Sequence, residues 1–185
     1  MGAAVVVLVE GASDAAVVRV LCTSGGIPAS AVDIRDLGGV TNVGRHLRSI
    51  PSGARVLGLY DAPEERFVRR ALHSTGRDPD ADRDLSEVGF WVCDRDLEEE
   101  LIRALGPDRV EHVLPELGEL ERFRAFQRQP QWRGRDLAEQ LHRFAGTASG
   151  RKLVLARRLA EELTAPTTPA PLAQLVSAIT VAVAL

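Results

Sequence analysis

The sequence predicts an α/β protein: an all-parallel sheet of about four strands with helices on its faces, followed by an all-helical C-terminal part. Three observations predict it. Short uninterrupted apolar runs recur through the first half of the chain, as strands buried on both faces require. Segments with helical spacing of apolar residues separate them. From about residue 107 onward only helical spacing remains.

Taken in order, residues 4–9 (AVVVLV) are a β-branched run that stops at Glu10 and Gly11. Residues 13–25 (SDAAVVRVLCTSG) read as a helix capped by Ser13 and ended by Gly25 and Gly26. Residues 31–37 (AVDIRDL) are the second strand, and 38–50 (GGVTNVGRHLRSI) a glycine turn and a short helix. Residues 55–60 (RVLGLY) are the third strand, stopping at Asp61. Residues 63–72 (PEERFVRRAL) form a helix with Pro63 in its first turn. Residues 77–84 (RDPDADRD) are a charged surface loop. Residues 88–93 (VGFWVC) are the fourth strand and 96–105 (DLEEELIRAL) the helix after it. Helices follow over 108–117, 119–129, 136–146 and 150–163. Residues 164–171 (TAPTTPAP) are a stiff linker before a last apolar helix. The expected domains are 1–106, the α/β part, and 107–185, a helical extension packed on it.

Composition narrows the function classes. Of 185 residues, 45% are hydrophobic and 26% charged, a globular balance that argues against disorder. Net charge is -3, so no global basic field advertises nucleic acid, although a local basic groove remains open. Cys22 and Cys93 show no metal-binding spacing and suit a reducing cytoplasm. The N-terminus lacks the basic start and cleavage site of a signal peptide. The most apolar terminal stretch, 172–185, is shorter than the roughly 20 residues of a spanning helix. The expectation is a soluble cytoplasmic protein with no membrane partner.

The informative pattern is acidic. The first strand ends at Glu10, the third at Asp61, and the fourth at Asp94, Asp96 and Glu98. Asp14 lies one helical turn past Glu10. Parallel strands place their carboxyl ends on one rim, where ligands bind. Carboxylates gathered there repel one another, and some protonate unless a cation compensates. Hard oxygen donors suit Mg2+ or Mn2+, and two such ions can clamp a phosphoryl transfer. Each helix-start acid also has a structural alternative. Asp14, Glu64 and Glu65 complement a helix dipole, and Asp96 with Glu99 has capping-box spacing. Glu10 has no cap to make.

These residues resemble a known family. "VLVEGASD", "GGVTN" and "GLYDAPEE" resemble the Toprim domain, the metal-binding α/β module of bacterial primases, topoisomerases and OLD-family (overcoming lysogenization defect) nucleases. "FWVCDRDLEEELIRALG" and "SGRKLVLARRLAEEL" resemble the OLD-type version, and the similarity runs from about Val5 to about Leu163. The resemblance implies a Rossmann-like Toprim fold and Mg2+- or Mn2+-dependent endonuclease chemistry on nucleic acid, with DNA favoured and two ions bound. It assigns Glu10, Asp14 and Asp61 to one metal, Glu10 also to acid/base work, and Asp96 and Glu98 to a second metal with Asp94 as neighbour. Lys152 matches the basic residue that stabilises charge on the scissile phosphate.

Two features depart from the family pattern. Pro63 occupies the second position of the usual D-x-D pair, leaving Glu64 or Glu65 as substitutes. No GxxxxGK[ST] phosphate loop is present, whereas OLD nucleases carry an ABC-type ATPase. A freestanding Toprim protein, or one served by a separate ATPase, is therefore expected. An alternative function is a catalytically weak adaptor that regulates an ATPase or DNA-repair factor. The apolar tail makes a homodimer a candidate assembly.

Arg151 and Lys152 start a helix at the dipole end that disfavours cations, and Arg157 follows. They are candidate nucleic-acid contacts; a solvated surface helix is the alternative. Residues 122–135 mix arginine with Phe123, Phe126 and Trp132, whose helical spacing favours core packing over base stacking. His46, His73, His112 and His142 form no paired ligand motif and are expected to be exposed helix residues.

Overall fold

In the computed structural model, the described residues are 5–77, 80, 83–148 and 150–184. Four strands form one all-parallel sheet in the order β2-β1-β3-β4: β1 (Val5–Val9), β2 (Val32–Asp36), β3 (Arg55–Asp61) and β4 (Phe90–Cys93). Val5 pairs with Val32 on one side and Arg55 on the other, and Asp61 pairs with Cys93. The chain steps from β1 outward to β2, then returns to β3 on the opposite side of β1. This reversal between β1 and β3 opens a crevice beyond their carboxyl ends.

Both faces of the sheet are buried, which explains the unbroken apolar runs. Val5, Val7 and Val9 point into one apolar cluster, Val6 and Leu8 into the other. On the first face lie α1 (Ala12–Ser24), α8 (Arg151–Glu162) and α9 (Ala170–Val183). On the second lie α2 (Val43–Ser49) and α3 (Glu65–Ser74). The helices α4 (Leu97–Leu105), α5 (Pro107–Val113), α6 (Leu120–Gln127) and α7 (Leu137–Ala145) extend the first cluster. That cluster runs unbroken across residue 106, from β1 through Leu101 and Phe123 to Ile179. The helical extension therefore shares its core with the α/β part.

One glycine is required by close packing. A Cβ on Gly58 would lie 2.4 Å from the Phe90 ring, which crosses β3 from the neighbouring strand. Phe123, Phe126, Phe144 and Trp132 form an aromatic cluster with ring centroids 5.0–6.4 Å apart, so these aromatics are core.

Several local expectations are corrected. The residue capping α1 is Gly11, not Ser13; Asp14 Oδ2 accepts the Gly11 N–H at 2.8 Å. The fourth strand is shorter than 88–93, because Leu85–Val88 form a 3-10 turn that Gly89 closes in the left-handed region at φ 90. The helix expected over 108–117 stops at Val113, ahead of Pro115. The 164–171 linker is a turn whose Thr164 carbonyl accepts from the Thr168 hydroxyl at 2.8 Å. The charged loop over 77–84 lies largely outside the described residues.

Candidate metal centre

The β1–β3 crevice is where the carboxylates gather. Glu10 leaves β1, and its carbonyl accepts the Gly39 N–H at 3.0 Å, tying it to the turn after β2. Asp61 ends β3. Ala62–Glu64 then make a 3-10 turn with Pro63 inside it, and that turn carries Glu64 back over the strand end. Glu10, Asp61 and Glu64 each offer a carboxylate oxygen within 4.8 Å of the other two. Glu64 also hydrogen-bonds to Glu10 through their side chains.

Crowding and burial push these acids upward together. Burial, then the Asp14 and Glu10 charges, raise the Asp61 carboxyl to about 8. Burial and the hydrogen bond that the protonated Glu64 donates to Glu10 raise Glu64 to about 7. Burial, then the Glu98 charge, raise Asp14 to about 7 against the opposing Gly11 hydrogen bond. At neutral pH this rim holds protons where a cation would otherwise be needed.

A second group adjoins the first through Asp14, which feels both Glu98 and Lys152. Asp96 caps α4, with Oδ1 accepting the Glu99 N–H at 2.8 Å. Its other oxygen, Oδ2, lies 2.6 Å from His142 Nε2 on α7. Glu98 is buried, and its Oε2 meets Lys152 Nζ at 2.9 Å. Lys152 sits in the first turn of α8. This buried carboxylate explains why a cation stands at the disfavoured end of that helix.

Not every expected residue joins these groups. Asp94 points to solvent, 3.6 Å from Arg103, and lies outside both. Glu65 is turned away and pairs with Arg69 at 2.7 Å, so of the two only Glu64 joins Glu10 and Asp61. Arg151 is consumed internally: it pairs with Glu119 at 3.0 Å, lies 3.9 Å over the Phe144 ring and is 10% exposed. Its guanidinium, expected at a nucleic-acid contact, is thus engaged by Glu119 and Phe144 within the fold. Arg157 pairs with Glu161 and lines a cleft against α1, apart from the carboxylates. His142 is a residue the sequence reading missed. It is half-buried against Asp96 rather than exposed, and its partner is 46 residues away along the chain.

The donor set fits a hard divalent cation. It is all oxygen, and two of its atoms, Glu64 Oε2 and Glu98 Oε1, are buried with no hydrogen-bond partner among the described residues. Beside the second group a cleft of about 390 Å³ opens, lined by Asp96, Glu98, His142, Lys152, Trp132 and three arginines.

The chain has a Toprim-like α/β fold. It is the fold of the C-terminal regions of OLD proteins. Over 99% of this chain and 100% of the other, it superimposes on that of Burkholderia pseudomallei with a TM-score of 0.70 at 21% identity. One structure of the Xanthomonas campestris pv. campestris region matches with a TM-score of 0.67 at 22% identity, covering 98% and 97%. No protein-family model and no curated protein matches the sequence.

Proposed function

We propose that this chain is a divalent-cation-dependent nuclease of the OLD-like Toprim type, hydrolysing phosphodiester bonds with DNA as favoured substrate. The observation that carries the reading is the convergence of Glu10, Asp61 and Glu64 at the β1–β3 crevice. With Asp14 beside them, these residues would hold one Mg2+ or Mn2+; Asp96 and Glu98 would hold a second. Bound cations would polarise the phosphodiester and relieve the mutual repulsion of the carboxylates. Glu10, at the strand end, would accept a proton from an incoming water. Lys152, half-exposed above Glu98, offers a positive charge toward the phosphate oxygens as negative charge builds on them.

Pro63 motivated the adaptor alternative, and Glu64 supplies the carboxylate that Pro63 lacks. A separate ABC-type ATPase and a second copy of the chain remain proposed partners. Two buried free thiols suit a reducing cytoplasm. Among the described residues, no helix is long and apolar enough to cross a membrane.

The test is plasmid nicking in Mn2+ by the wild type, Asp61→Asn and Glu64→Gln. Nicking by the wild type and its loss in both variants supports the reading. Equal nicking by all three, or none by the wild type, overturns it.

A further inference from the structure

The cleft beside Asp96 has a basic side that the cation site does not use. Arg95, Arg135 and Arg143 line it together with Trp132, Glu139 and the Glu98–Lys152 pair. Arg95 and Arg143 are exposed, and neither has an ion-pair partner among the described residues. Arg135 is held locally and also pairs with Glu139, another lining residue, at 3.7 Å. Its Nε donates to the Gln131 carbonyl at 2.9 Å, and its guanidinium lies 5.5 Å over the Trp132 ring. Trp132 is itself packed on Phe126, with centroids 5.0 Å apart. The aromatic core thus presents a pre-positioned guanidinium to the cleft.

The three arginines come from two stretches distant in sequence that meet only in the fold: Arg95 from the β4–α4 turn, and Arg135 and Arg143 from the turn preceding α7 and from α7 itself. Paired internal arginines such as Arg151 and Arg158 hold helices together. Arg95 and Arg143 make no such pair among the described residues. Two unpaired guanidiniums and a third shared with the exposed Glu139, lining one cleft, attract a chain of regularly spaced anions. A single small anion would satisfy only one of them.

We propose that this cleft is the track along which a single nucleic-acid strand enters the site. Arg95, Arg135 and Arg143 contact successive phosphates and deliver one phosphodiester toward Asp96 and Glu98. The inference rests on the nuclease reading for its direction but not for its binding chemistry. Recognition is by backbone charge, independent of base sequence, and therefore weakens steeply with salt.

The experiment is fluorescence anisotropy of labelled oligothymidylate, the matching oligouridylate and a DNA duplex, in Ca2+ across a salt series. The proteins are the wild type, Arg95→Ala/Arg143→Ala, and Arg70→Ala on the opposite face of the sheet as control. The double variant is expected to bind oligothymidylate about tenfold more weakly and to lower the salt slope by about 1.4, roughly 0.7 for each phosphate contact on a single strand. Arg70→Ala should match the wild type. The oligouridylate arm reports whether RNA shares the track, and tighter binding of duplex than of single strand contradicts it. Unchanged affinity and slope in the double variant, with an unchanged melting curve, overturn the inference, as does a wild type that binds no oligonucleotide at low salt. Binding lost in the double variant while the wild type fails to nick plasmid would sink the nuclease reading and leave the track standing.

Discussion

His142 Nε2 lies 2.6 Å from Asp96 Oδ2, joining α7 to the cap of α4 across the mouth of the cleft. Asp96 Oδ1 is already engaged by the Glu99 N–H at 2.8 Å. The carboxylate is thus gripped at both oxygens, and its plane is set by one local and one distant donor. A partner that orients a metal-ligating carboxylate tunes its affinity without touching the ion. His142→Ala is expected to cut nicking about 10- to 100-fold and to raise the Mn2+ concentration needed for half-maximal rate. His142→Gln, which keeps a donor, should recover part of both. A rate loss with an unchanged Mn2+ dependence would make His142 a packing residue only.

Glu64 and Glu65 are neighbours with opposite assignments. Glu64 reaches Glu10 and Asp61, while Glu65 pairs with Arg69 at 2.7 Å. Glu64→Gln should weaken Mn2+ binding by about tenfold or more, measured by calorimetry, whereas Glu65→Gln should leave it within about twofold. Reversal of that order would place the compensating carboxylate one residue later.

The acidic rim gives stability a pH dependence of unusual sign. Asp61 and Asp14 titrate near 8 and 7 in the folded protein, against 3.8 in the ordinary state, and Glu64 near 7 against 4.5. Between those limits the folded state binds more protons than the unfolded chain. Stability is therefore fully present below about pH 4 for these groups and is lost as pH rises through about 7 to 8. Melting of the metal-free protein should fall from about pH 5 to about pH 9, and the stabilisation by Mn2+ should grow over the same interval. Flat melting temperatures together with a pH-independent Mn2+ effect would contradict the clustering.

The packing of β3 on β4 is tested at Gly58. With the Phe90 ring 2.4 Å from its would-be Cβ, Gly58→Ala should destabilise the fold by about 1–3 kcal/mol. Phe90→Leu in the same chain should recover part of that loss. Denaturant unfolding of the single and double variants reads both effects.

Much of this was legible in the chain itself. The central strands β1 and β3 announce themselves because burial on both faces removes polar alternation, whereas the edge strand β2 keeps it, and the parallel order follows from the helices between the strands. Glu10 and Asp61 stand out because a charge ends an apolar run. What local patterns could not carry was direction. Pro63 sits inside a 3-10 turn, and only that turn shows that Glu64 faces inward and Glu65 outward. Arg151 and Lys152 are adjacent in sequence, yet one is buried against Phe144 and Glu119 and the other meets Glu98. The His142–Asp96 pair spans 46 residues, beyond the reach of any spacing rule.

The most direct measurement is the anomalous difference map of crystals soaked in Mn2+ near pH 8. Carboxylates gathered for cation binding require a Mn2+ peak bounded by Glu10, Asp61 and Glu64, with a second beside Asp96 and Glu98. Saturating Mn2+ that leaves no peak among Glu10, Asp61 and Glu64 would contradict the cation site and the chemistry built on it.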